Sequence, residues 1–209
     1  MTKTADGPIV IADSADSRGA GATGDSAEPL GVMLPFASRL RCAVSVFDSS
    51  AVEKAFRLGV GGVADFELGA TVAPRLSSPV TVKNATVKGL FDGDFYMHGP
   101  SRQGMLVHQG RTAVLSVGKI LILLYAGGNS EYDLNFYRSF GIDVEKCDLV
   151  SVKACTSFRA GYEKIASEII NVSTAGAACP TLERLPYKKR PRLYPFDEIG
   201  EEDITRSNL

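Results

Sequence analysis

The residues most able to do chemistry cluster in Asp13-Ser14-Ala15-Asp16-Ser17-Arg18-Gly19-Ala20-Gly21-Ala22-Thr23-Gly24-Asp25. An apolar run, Ile9 to Ala12, ends in the first aspartate. The loop then carries two more carboxylates among small residues. Asp13, Asp16 and Asp25 suit a hard cation or one wall of a zinc site, because carboxylate oxygens are the ligands such ions take. The same groups could serve only structure. Asp25 can cap a helix, and Asp16 can bond loop N–H groups. Gly19, Gly21 and Gly24 permit backbone angles closed to other residues and let a ligand approach closely.

Gly19-Ala20-Gly21-Ala22-Thr23-Gly24 also fits G-x-G-x-x-G, and Asp48 lies near the distance expected of a ribose-binding acid. A dinucleotide-binding enzyme is therefore an alternative. Two features oppose it: Ser14 to Arg18 separate the strand from the first glycine, and Asp25 sits where a pyrophosphate would need positive potential.

Lys153 follows a second apolar run and Arg159 opens a helix-capable segment, so both should face a crevice at strand ends. A salt bridge from either to Asp13 or Asp16 would pin the acidic loop instead. Cys155 lies beside both cations but has no visible histidine partner for nucleophilic work. His98 and His108, the only two histidines, are ten apart and lack the H-E-x-x-H pattern. Catalytic zinc usually needs three protein ligands and an open position, and no such set is visible. The isolated chain is expected to hold no cofactor.

These residues need a scaffold. With 209 residues, 44% of them hydrophobic, the chain can bury one good core. The pattern predicts an α/β fold: a mainly parallel sheet with flanking helices, from strands at 9–13, 41–47, 149–154 and 168–172, and a β-rich antiparallel insertion at about 63–126. Continuous apolar runs are what strands buried on both faces show. Asp25 or Ser26 should cap a helix containing Pro29, which Pro35 ends or kinks. Asp48-Ser49-Ser50 should cap another, with Val52, Ala55, Phe56 and Val60 on one face. Asp92-Gly93 and Gly118-Lys119 read as hairpin turns. Short helices are expected at Asp133–Phe140 and Phe158–Ala166. Residues 1–8 read as a disordered start and 198–209 as an acidic disordered tail.

Composition narrows the function classes. A formal net charge of −1 gives no case for nucleic acid, and the apolar run Ile120 to Ala126 is too short to span a bilayer. Four cysteines without C-x-x-C spacing, and no basic-plus-apolar leader, point to a cytoplasmic chain.

The order Asp13-x-x-Asp16-x-x-Gly19-x-Gly21-Ala22-x-Gly24-Asp25 resembles the opening motif of the C-terminal domain of the microcystinase C (MlrC) metallopeptidase family. Phe56-Arg57-Leu58-Gly59-Val60-Gly61, Gly110-Arg111-Thr112-Ala113-Val114-Leu115, Phe158-Arg159-Ala160, Leu185-Pro186-Tyr187 and Pro195-Phe196-Asp197 extend the likeness to about residue 197. The resemblance implies a zinc enzyme that hydrolyses peptide bonds, with linearised microcystin as the family's named substrate. Its main zinc ligands belong to an N-terminal domain that would precede this chain. On that reading the partners are the missing domain or a homo-oligomer, and a peptide substrate. The chain would close the cleft with Asp16, Asp25, Lys153 and Arg159, inactive alone. Where the family shows a serine and a histidine, this chain has Ala154 and Ser157; Ser17 and Arg18 also depart from the usual pattern. A non-catalytic binding or assembly module is the alternative from another class.

Overall fold

A computed structural model describes residues 7–100, 102–128 and 131–181, with 183, 185, 188, 189, 192, 194 and 197–200. The expectations for residues 1–6, 201–209 and most of the last two matching stretches lie outside the described residues.

Among the described residues ten strands form: β1 (Ile9–Asp13), β2 (Cys42–Phe47), β3 (Val63–Leu68), β4 (Val80–Phe91), β5 (Asp94–Tyr96), β6 (Leu106–His108), β7 (Thr112–Val117), β8 (Ile120–Tyr125), β9 (Leu149–Val152) and β10 (Glu168–Val172). The α-helices among the same residues are α1 (Glu28–Met33), α2 (Ser49–Leu58), α3 (Asn135–Arg138) and α4 (Arg159–Tyr162). Eight strands make one sheet in the order β10-β1-β9-β2-β8-β7-β4-β3. The pairs from β10 to β8 are parallel, and those from β8 to β3 antiparallel. The α/β expectation with a mainly parallel sheet holds.

The β-rich insertion is antiparallel as expected, and most of it is not set apart. It continues the main sheet, because β8 pairs in parallel with β2 while forming a hairpin with β7 through Gly118-Lys119. The Asp92-Gly93 turn does not join a hairpin either. β4 pairs with β3 and β7, and β5 pairs with β6 in a separate ribbon. A Cβ on Gly93 would lie 1.8 Å from the Gly110 carbonyl oxygen, so the turn packs against a neighbouring loop instead of closing on itself.

Two apolar layers flank the sheet. Val10, Ala12, Val150 and Val152 face Phe136 and Tyr137 of α3, Tyr162 of α4 and Phe158 just before it. On the opposite face, Val44, Val46 and Ile122 pack under Leu30 and Met33 of α1 and Val52 and Ala55 of α2. Asp48 caps α2 as expected, accepting from the Ala51 N–H at 2.9 Å. Gly59 ends that helix, so Val60 falls beyond it and stands 66% exposed instead of extending the apolar face. Pro35 turns α1 into one 3-10 turn, Leu34–Phe36, by removing an N–H. Helices α3 and α4 are shorter than the sequence predicts.

The second face is incompletely covered. Among the described residues, the flank of α1 and the turn after it lie over β1, β9 and β10. An apolar groove of about 390 Å³ runs there, lined by Ile11, Val32, Phe36, Leu149, Val172 and Thr174 among others. No helix among the described residues is long and apolar enough to cross a membrane.

Candidate functional site

Topology fixes where the site lies. From β1 the chain crosses through α1 on one face to β2. From β9 it crosses through α4 on the other face to β10. The connections leaving these two neighbouring strands therefore diverge, and a crevice opens between their carboxyl ends. Such switch points are where open α/β sheets bind ligands. Here a pocket of about 300 Å³ is lined from the first loop by Ser17, Gly19 and Ala20, and from the second by Lys153, Ala154, Cys155, Thr156 and Ser157. Glu131 and Tyr132, after β8, and Arg102 complete the wall.

Lys153 organises the crevice floor. Its ammonium donates to Asp16 Oδ2 at 2.6 Å, and to the carbonyl oxygens of Gly24 and Ser26, each at 2.7 Å. All three protons are thus used. Asp16 in turn accepts from the N–H groups of Gly24 (2.9 Å) and Ser26 (2.8 Å). Both side chains are out of water. A buried ion pair persists only when its remaining donors and acceptors are satisfied, and this one is. The sequence expectation that a cation pins the acidic loop is met by Lys153 and Asp16.

The other carboxylates are consumed by the fold. Asp13 accepts from the Ala15 N–H (3.1 Å) and from the hydroxyl and N–H of Thr174. Asp25 accepts from the Val72 (2.7 Å) and Ala73 (3.0 Å) N–H groups and closely from the Thr23 hydroxyl. Burial alone would raise the Asp25 carboxyl, but the hydroxyl and the two N–H groups outweigh it and hold it below its ordinary range. Asp25 therefore caps no helix: it ties the 69–73 loop to the glycine loop, while the Ser26 hydroxyl accepts weakly from the Glu28 N–H at 3.4 Å. Asp48 is fully buried, with oxygens bonded to Ala51, Ser50 and Gly69, so it cannot reach a ribose. That removes the acid the dinucleotide reading depends on.

Arg159 stands apart from this network. It pairs with Glu163 at 2.9 Å one turn on and lies over the Phe158 ring. Among the glycines, Gly21 (φ 93°) and Gly24 (φ 75°) adopt left-handed angles; Gly19 does not, and lines the pocket. Gly24 also needs its missing side chain. A Cβ there would sit 2.6 Å from Cγ and Cδ of Arg18. Arg18 tucks beneath the loop, its guanidinium 4.1 Å from the Phe47 ring centre and 5.8 Å from that of Tyr125. The departure at Arg18 is thus a built feature of this loop.

Glu131 is the residue that sequence reasoning missed. It is 1% exposed and accepts from the Tyr125 hydroxyl at 2.6 Å. Burial raises its carboxyl above the ordinary value, against the pull of the tyrosine hydroxyl and of Arg18 and Lys153. The signal was present: β8, like β1, is an apolar run followed by small residues and then an acid.

No group of three or more His, Cys, Asp or Glu side chains among the described residues is placed to hold a metal ion. Chemically the donor set does not fit one, since the oxygens of Asp13, Asp16 and Asp25 already accept from N–H, O–H or ammonium groups. His108 pairs with Asp94 on the surface, far along the β5–β6 ribbon.

The family model described as "MlrC C-terminus" matches residues 11–189. The chain belongs to the MlrC C-terminal domain family. Microcystinase C of Sphingomonas sp. is 23% identical over 192 residues, covering 92% of this chain and 36% of that protein. A crystal structure described as a metallopeptidase from Mesorhizobium sp. BNC1 superposes with a TM-score of 0.81 at 25% identity, covering 94% of this chain and 39% of that one. This MlrC C-terminal domain therefore spans little more than a third of either relative, and both carry further polypeptide beyond it.

Proposed function

We propose that this chain is the cleft-closing domain of an MlrC-type zinc metallopeptidase and hydrolyses peptide bonds only together with a metal-bearing domain. The observation that carries the reading is the crevice between β1 and β9, walled by a loop clamped on Lys153. The rest follows from the division of roles. Because the loop carboxylates do not fit a metal, the metal that the metallopeptidase relative's name implies is assigned to the other domain. This chain supplies hydroxyl donors from Ser17, Thr156 and Ser157 and a rim guanidinium from Arg102, groups able to orient the carbonyls of a peptide. Asp16, Asp25 and Lys153 hold that wall in place, and Arg159 is a candidate at its edge. The unpaired state of all four cysteines supports a cytoplasmic setting.

The test is an assay of linear peptides with the chain alone, then mixed with the preceding portion of the Mesorhizobium metallopeptidase. Turnover is expected only in the mixture, and lowered by Thr156→Val and Arg159→Ala. Zinc-dependent turnover by the chain alone would refute the reading. A non-catalytic assembly module is favoured by the bare apolar groove; binding without turnover in the same mixture would select it.

A further inference from the structure

The apolar groove beside α1 breaks a rule that the rest of the sheet obeys. Parallel strands are covered on both faces. A helix is about 10 Å across and strands are about 4.8 Å apart, so one helix covers about two strands. On the side of α1 and α2, no helix among the described residues, beyond the flank of α1, lies over β1 and β10. Val32 is 72% exposed, Ile170 42% and Phe36 39%. Ile170 and Ile11 are register partners and share this face. The opposite face of the same strands is closed by α3 and α4.

What covers the groove is set by the two ends of the sheet. The crevice lies at the carboxyl ends of β1 and β9. Polypeptide leading into β1 arrives at the amino ends, where the Ile9 N–H donates to the Asp148 carbonyl and Pro8 accepts from the Ser167 N–H. In a longer chain whose preceding domain faces the crevice, the segment joining that domain to Ile9 must descend the full height of the sheet. The groove follows that route. Its lining runs from Val172 and Thr174, at the crevice end, to Leu149, which is in register with Ile9. The height is that of five residues of β1, about 17 Å, or about 11 residues of helix.

We propose that the groove receives the connecting segment that precedes this domain in its longer relatives, an amphipathic helix laid along β1 and β10. Its apolar face covers Ile11, Val32 and Ile170 and supplies the layer the sheet lacks. This inference rests on the reading that a metal-bearing domain faces the crevice.

Hydrogen exchange of this chain tests it, alone and with the preceding portion of the Mesorhizobium metallopeptidase, supplied with and without its last roughly 12 residues before the matched region. Added protection is expected at residues 29–36 and 168–172, and only when those last residues are present. Val32→Asp and Ile170→Asp lie on exposed positions that do not support the core, and each should weaken binding at least about tenfold. Val63→Asp, an exposed apolar residue on the far edge strand, should leave it unchanged. Protection confined to residues 17–20 and 153–157 would overturn the groove assignment and leave the proposed function standing. Absence of any complex would overturn both. A groove that becomes protected with rising concentration of this chain alone would assign it to a second copy and overturn the proposal.

Discussion

Lys153 Nζ and Asp16 Oδ2 lie 2.6 Å apart across 137 residues of sequence, both side chains buried, and the pair joins the two loops of the crevice. Removing one partner leaves the other charge buried and alone, which costs about 3–5 kcal/mol. Lys153→Met should therefore lower the urea midpoint sharply. The double variant Lys153→Met with Asp16→Asn should recover part of the loss. Equal destabilisation by single and double variants, read from the same unfolding curves, would show that the two charges are not coupled.

Glu131 predicts a pH dependence of one sign. Its folded carboxyl titrates above the unfolded value, so the stability it contributes is fully present below about pH 4.3 and is lost as pH rises through the folded value. Glu131→Gln keeps an acceptor for the Tyr125 hydroxyl without the charge. The variant should match the parent near pH 4 and exceed it in Tm at pH 7. A difference that stays constant across that range would contradict the assignment.

Asp25 predicts the opposite sign. Its folded carboxyl titrates below the unfolded value, so its contribution is present above about pH 3.9 and fades as pH falls through the folded value. Asp25→Asn should lower Tm at pH 7, by an amount that shrinks in acid. Loss of order at Val72 and Ala73, visible as faster amide exchange, should accompany it.

Gly24→Ala meets two obstacles together, a positive φ and the Arg18 stem 2.6 Å from the new carbon. Strain of this kind costs about 1–3 kcal/mol. Adding Arg18→Ala removes the collision but not the backbone penalty, so the two changes should be less than additive. Strict additivity of the two unfolding free energies would mean that the loop shifts to avoid the arginine.

The parallel strands were legible because each is an apolar run, and Lys153 was legible as a cation at such a run's end. The pinning of the loop was foreseen as one option for the same reason. The partners of Asp13 and Asp25 were not: Thr174, Val72 and Ala73 lie 161, 47 and 48 residues away, and bonds to backbone amides leave no trace in residue type. The β-rich insertion is legible as antiparallel because a hairpin pattern is local. That β8 also docks on β2 depends on the crossovers, which no local pattern records. Glu131 stands six residues past Tyr125, and its burial against that hydroxyl depends on tertiary packing that no local pattern records.

The slot occupied by β1 sets the order in which the protein can be made. β1 lies between β9 and β10, yet both are encoded more than 130 positions later. At about 5–20 residues per second of synthesis, the first strand waits roughly 7–30 s before either neighbour leaves the ribosome. Until then the hairpin of β7 and β8 can form on local contacts, whereas the crevice cannot exist. Distant pairing of this kind slows folding. An early chain stop anywhere before residue 172 would thus leave β1 without one neighbour, its amide edge open to pairing with other nascent chains.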